Sequence, residues 1–253
     1  MFLISLIFLI WATFKTILDH PKNFAYAYSS CDVYISSCSN LNQPNKVYCL
    51  NQNIVDSGNY YCMEVSANNI TLDCQGFSID GKDLSSTYGI YIFRTSSQQT
   101  NITIKNCIIT DWDYGISLKY VSNNTLINNT ANSNSYGFYL LSSSSNTLTN
   151  NTANSNSDTG FYIEYSSNNF FLSNTANSNS YGFYLLSSFS NTLTNNTANS
   201  NSYGFYLLSS SSNTLTNNTA NSNSDTGFFL NFNSNYNTLT NNTANSNDYG
   251  FSI

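Results

Sequence analysis

The 253-residue chain is predicted to be an all-β parallel β-helix, with coils of about 22 residues and three short strands per coil. Three observations predict it. A glycine followed by an apolar residue recurs at Gly89, Gly115, Gly137, Gly160, Gly182, Gly204, Gly227 and Gly250, at intervals of 22 or 23 residues after a first of 26. The residues after each glycine alternate between apolar and variable. The segments joining these runs consist of Asn, Ser and Thr, which favour turns over helix. A repeat of this length belongs to stacked, quasi-one-dimensional architectures.

The first strand follows from two columns. One residue after the glycine stand Ile90, Ile116, Phe138, Phe161, Phe183, Phe205, Phe228 and Phe251; three after it stand Ile92, Leu118, Leu140, Ile163, Leu185, Leu207, Leu230 and Ile253. The positions between admit Ser117, Lys119, Glu164 and Asn231, so the period is two and one face is buried. A second strand carries Leu126, Leu148, Phe171, Leu193, Leu215 and Leu239 inward, often flanked by outward Thr. A third, weaker segment carries Ala131, Ala153, Ala176, Ala198, Ala220 and Ala244, small enough for a tight corner. The leucine-rich alternative needs an L-x-x-L-x-L framework and often a helical return, which these segments do not provide.

Asparagine accounts for 45 residues, and this excess belongs to the corners. Aligned residues such as Asn151, Asn196 and Asn218 can bond from coil to coil through their amides. No coil buries enough apolar surface to fold by itself, so the joints between coils must supply the balance. The chain stops inside a coil at Phe251-Ser252-Ile253, which reads as part of a longer protein or as an end covered by another chain.

Residues 2–14 form an apolar run suited to a signal-peptide core, with Ala25-Tyr26-Ala27 as the cleavage site; an uncleaved membrane anchor is the rival reading. The expected organisation is therefore signal or anchor over 1–27, a Cys-rich amino-terminal cap with irregular first coils over 28–75, and repeats over 76–253. Cys31, Cys38, Cys49, Cys62, Cys74 and Cys107 form an even set near an export signal. Disulfides are expected, with all pairings open; free buried thiols at Cys74 and Cys107 are the alternative. The expected location is secreted or at the cell surface.

Composition removes several functions. The net charge is −6, and no basic residue follows Lys119, so no stripe exists for nucleic-acid phosphates. His20 is the single histidine, and no C-x2-C pair is present for zinc. No cofactor or metal is expected.

The unit Tyr181-Gly182-Phe183-Tyr184-Leu185-Leu186, followed by Ser190-Asn191-Thr192-Leu193-Thr194-Asn195-Asn196-Thr197, resembles the right-handed parallel β-helix repeats of the NosD-like family, over about residues 60–253. The resemblance implies a right-handed coil and an exported protein of the pectate-lyase-like superfamily. It also implies copper-site maturation, but no Met or His follows Met63, so copper is not carried over.

Two residues after the glycine, Tyr139, Tyr162, Tyr184, Tyr206 and Phe229 face outward on successive coils. They form a candidate glycan-binding ladder on which sugar rings could pack; the plainer reading is cross-strand stabilisation of the sheet. Asp111 and Asp113 are the close acidic pair within a recognisable coil and read as a solvated turn, and no catalytic residue is assigned. The Asp113, Asp158, Asp225 and Asp248 column reads as turn residues rather than a calcium site. Acceptor sequons stand at Asn69, Asn101, Asn123, Asn128, Asn150, Asn195, Asn217 and Asn241, with modification excluded for any that turn into the ladders. Short, near-identical loops favour a non-enzymatic spacer or binding module, with glycans or another surface protein as partner and the amino-terminal segment as membrane attachment. A carbohydrate-active enzyme, or a degenerate relative of one, is the alternative.

Overall fold

The computed structural model describes residues 30–93 and 99–253; the expected signal or anchor segment lies outside them. Strands inside each sheet pair in parallel with their counterparts one coil before and one coil after, and those at the sheet ends with one of them, as the repeat requires. The front sheet has ten strands, from Ser39–Leu41 and Tyr61–Val65 through Tyr136–Leu141 and Tyr181–Leu186 to Tyr249–Ser252. The back sheet also has ten, from Val33–Ile35 through Thr125–Ile127 and Thr192–Thr194 to Thr238–Thr240. The third strand of the coil is a sheet only over Ser78–Asp80, Ile108–Thr110 and Thr130–Ala131. Beyond Ala131 it shrinks to one bridge per coil, through Thr152, Thr175, Thr197, Thr219 and Thr243. No helix occurs among the described residues.

Columns of like residues fill the interior. Phe138, Phe161, Phe183, Phe205, Phe228 and Phe251 stack with centroids 4.6–4.9 Å apart and planes within 7° of parallel. Phe171 enters from the back sheet and meets Phe161 and Phe183 edge-on at 6.3 Å. Strand spacing and the thickness of an aromatic ring nearly match, so identical residues in register lose little contact.

The corners explain the composition. Each later coil but the last turns at four residues of left-handed backbone, such as Ser142, Ser145, Asn150 and Ser155, with φ of 47°, 60°, 54° and 55°; the last adds a fifth, through Phe232 and Asn233. Asn tolerates this region better than most residues. After each turn residue comes an inward polar one: Ser143, Asn146, Asn151 and Asn156 here, all buried. The asparagines form three ladders. Asn174 is typical: its N–H and Nδ2 donate to Asn196 Oδ1 at 2.8 and 3.0 Å, and its Nδ2 also donates to Leu148 O at 2.9 Å. Its Oδ1 accepts from the N–H and Nδ2 of Asn151 at 2.9 and 3.0 Å. The expected stacking of Asn151, Asn196 and Asn218 is thus present, and each side chain also satisfies backbone left unpaired at the turn.

The ladders begin at one coil. Ile102, Cys107 and Trp112 occupy three inward corners; one coil later Asn124, Asn129 and Asn134 occupy the same three. The N–H groups of the apolar three already donate to the Oδ1 atoms of these asparagines, at 3.0, 3.1 and 3.0 Å. Covalent bonds join the coils before this point: Cys31 pairs with Cys49, Cys38 with Cys62, and Cys74 with Cys107. The alternative of free thiols at Cys74 and Cys107 is thereby overturned. Lys105 adds an ion pair to Asp73 at 3.1 Å. Burial raises the Asp73 pKa, but hydrogen bonds from Asn106 and Gln75 together with Lys105 outweigh it and hold the carboxyl below its usual value.

Candidate functional site, the aromatic front face

The outer face of the front sheet carries the predicted ladder. Tyr139, Tyr162, Tyr184, Tyr206 and Phe229 pair in register on successive strands. Their rings stack on one another at 5.2, 5.1, 5.0 and 5.0 Å between centroids, tilted by 17–28°. This corrects the expectation that sugars would lie on ring faces, because neighbouring rings already cover those faces. What remains for a ligand is a palisade of ring edges and phenolic hydroxyls. Tyr139 is nearly buried, at 7% exposure, whereas Tyr162, Tyr184, Tyr206 and Phe229 are half-buried.

A second aromatic column stands one residue before the glycine, at Tyr88, Tyr114, Tyr136, Tyr181, Tyr203 and Tyr249, with Tyr61 paired to Tyr88 one coil earlier and Thr159 and Thr226 interrupting it. It interleaves with the first: Tyr181 stacks on Tyr184 at 5.1 Å, and Tyr114 on Tyr139 at 5.2 Å. Simple alternation hides this column. The glycine and the residue after it both turn inward, since a Cβ on Gly137 would meet the buried Ala153 and Asn156, so the pattern slips by one at that point. The tyrosine before six of the eight repeat glycines was the available signal.

The hydroxyls divide into two groups. Tyr136 donates to Asp158 Oδ2 at 3.2 Å, Tyr203 to Asp225 Oδ2 at 2.7 Å, and Tyr139 to Glu164 Oε2 at 2.6 Å. Asp113, from the same column, accepts from the Ser86 N–H at 2.6 Å. Asp113, Asp158 and Asp225 thus accept from a turn N–H and from tyrosine hydroxyls, and no cluster of three or more His, Cys, Asp or Glu placed to hold a metal is found among the described residues. Asp111 lies in a left-handed turn, its carboxyl raised first by burial and then by its hydrogen bond with Asp80. The hydroxyls of Tyr162, Tyr184 and Tyr206 have no hydrogen-bond partner among the described residues. Burial, reinforced by Tyr206 and Tyr181, pushes Tyr184 up to about 12, so it stays a neutral hydroxyl able to donate and accept.

At the amino-terminal end of the face, Ser117 interrupts the ladder and is fully buried. Lys119 spans the gap. Its Nζ donates to Tyr88 Oη at 2.8 Å and lies 4.8, 5.7, 5.3 and 5.4 Å from the ring centroids of Tyr88, Tyr91, Tyr114 and Tyr139. Burial lowers its pKa against the opposing pull of nearby acidic groups and tyrosines. Burial, then Tyr60 and Asp113, raises Tyr88 to about 12.

The eight acceptor asparagines all lie at exposed corners beside the back sheet, and none turns inward. Asn69, Asn101 and Asn123 precede back-sheet strands; Asn128, Asn150, Asn195, Asn217 and Asn241 follow them.

The sequence matches the family model of the right handed beta helix region over residues 33–220 and 190–253. No curated protein matches it. Among solved structures it is similar to the A-module of mannuronan C-5 epimerase AlgE4 of Azotobacter vinelandii, at 15% identity and a TM-score of 0.56, covering 87% of this chain and 83% of that one. It is also similar to pectate lyase Pel9A, at 21% identity and 0.62, covering 82% of this chain and 63% of the lyase, under two thirds of its length. A third is a variant of the periplasmic alginate epimerase AlgG, at 15% identity and 0.61, covering 83% and 60%. Identities this low show a common fold and nothing finer. With parallel coils, three strands to a turn and a family match along nearly all of the described chain, the protein belongs to the right-handed β-helix family.

Proposed function

We propose that the chain is an exported, non-enzymatic β-helix that binds a glycan along its front face. The carrying observation is the run Tyr162, Tyr184 and Tyr206: three half-buried, unpartnered hydroxyls on consecutive strands, about one sugar residue apart. A chain laid along the coil axis would meet these hydroxyls with its own and rest carbon-bound hydrogens against ring edges. The three disulfides suit an oxidising compartment, as does the periplasmic location of one structural neighbour. Neighbours that act on mannuronan, pectate and alginate support carbohydrate as the ligand class. Another surface protein is the competing partner.

Tyr184→Phe with Tyr206→Phe keeps the stack and removes two hydroxyls. On a glycan array the double variant is expected to bind about 5- to 150-fold more weakly than the wild type, from about 0.5–1.5 kcal/mol per lost hydrogen bond. Unchanged binding, or no glycan bound by the wild type, retires the proposal.

The cluster around Lys119 favours a second reading, a polysaccharide-modifying enzyme. It brings a desolvated amine, Tyr88 and Glu164 onto one face. Under the first reading, incubation of the protein with uronate and neutral polysaccharides releases no reducing ends or unsaturated products. Turnover lost in Lys119→Met would instead establish the enzyme.

A further inference from the structure

We propose that the protein carries N-linked glycans on the corners framing its back sheet, most of them on the corner that follows it, and that the front face is left free of them. The argument begins with the tripeptide Asn-Asn-Thr. At Asn128, Asn150, Asn195, Asn217 and Asn241 the first asparagine is the left-handed turn residue, with φ of 54–56°, and is exposed. The second asparagine belongs to the buried ladder, as Asn151 and Asn196 do. A shift of one residue would put the acceptor inside, where no enzyme could reach it. That shift occurs at none of the eight sequons, because a ladder asparagine is always followed two residues later by something other than Ser or Thr, as in Asn151-Thr152-Ala153.

The distribution is also uneven. On the corner between front and back sheets, the acceptors stop at Asn123; Ser145, Ser190, Ser212 and Tyr236 take the equivalent turn, and Phe170 breaks the motif after Asn168. The coils carrying the unpartnered tyrosines are therefore without acceptors beside the front face. On the far corner the acceptors continue to Asn241, broken only by Ser173. With only 8% charged residues, the rod offers water little besides amides and hydroxyls, and attached sugars would supply solvation there.

The test is site mapping, which does not depend on whether the front face binds a ligand. The full chain is secreted from a eukaryotic host that performs N-glycosylation, denatured, and treated with a glycosidase that converts each occupied Asn to Asp in heavy-oxygen water. Mass spectrometry is expected to find occupied sites, most of them among Asn128, Asn150, Asn195, Asn217 and Asn241. Asn217→Gln with Asn241→Gln, both at exposed turns, is expected to be secreted and to lose the corresponding glycan mass. Secreted protein of unmodified mass overturns the proposal, as does occupancy confined to Asn69, Asn101 and Asn123.

Discussion

Replacing Asn174 with leucine is expected to destabilise the protein by about 3–6 kcal/mol, although the two side chains share the same branched heavy-atom skeleton. Asn174 sits midway along a ladder and takes part in five hydrogen bonds. Leucine would leave Leu148 O, the Asn151 N–H and the Asn196 amide oxygen short of partners inside a core that water does not enter. An unmade buried hydrogen bond costs about 1–3 kcal/mol. Because neighbouring coils support one another, the loss should appear as a local opening before global melting. Hydrogen exchange across residues 147–197 alongside urea denaturation would measure both. Asn195→Ser is the control: it lies at the exposed turn of the next coil, one residue before the ladder's Asn196, where Ser173 stands beside Asn174, and should change stability by less than about 0.5 kcal/mol. A leucine variant as stable as this control would remove the ladder from the account of what joins the coils.

Gly182→Ala is expected to cost about 2–4 kcal/mol. Its backbone is not left-handed, so the requirement is for space. A Cβ there would lie 2.6 Å from Gly204 O, 2.8 Å from the Ala198 Cβ and 3.0 Å from Asn201 Nδ2. None of these can yield cheaply, since they are a backbone carbonyl, a methyl with no rotamer to change, and an amide fixed in its ladder. Gly58→Ala meets nothing within 4 Å and should be neutral or stabilising by up to about 1 kcal/mol. Adding Ala198→Gly to Gly182→Ala should restore part of the loss, because it removes one of the three contacts. Thermal denaturation of the four proteins decides the matter, and equal melting of Gly182→Ala and wild type would refute the close approach.

The inward columns were legible because Phe, Ile and Leu recur at fixed offsets from each glycine, and burial alone explains them. The asparagine ladder was legible from alignment, but not its direction: the residues that turn the chain and those that bond between coils are adjacent and of one type, and only backbone conformation separates Asn150 from Asn151. The pairing of Cys74 with Cys107 was not legible, because spacing does not reveal which residues neighbouring coils bring together. The third strand weakened to single bridges because Thr-Ala-Asn segments turn again after two residues. At the site, Tyr139 through Phe229 were placed on the correct face. Ring orientation could not be read, since stacking depends on the strand separation as much as on residue type.

The coils Tyr181 to Ser202 and Tyr203 to Ser224 differ only in having Phe189 where the other has Ser211. Each shows the next the same donors, acceptors and aromatic discs that it receives from the one before. A gene duplicating or dropping one such unit would therefore reseal without a mismatched junction, while the disulfide-fastened beginning stayed untouched. The scaffold behaves as an extensible ruler, and the reach of its tyrosine palisade can be reset in whole-coil steps at little cost to folding.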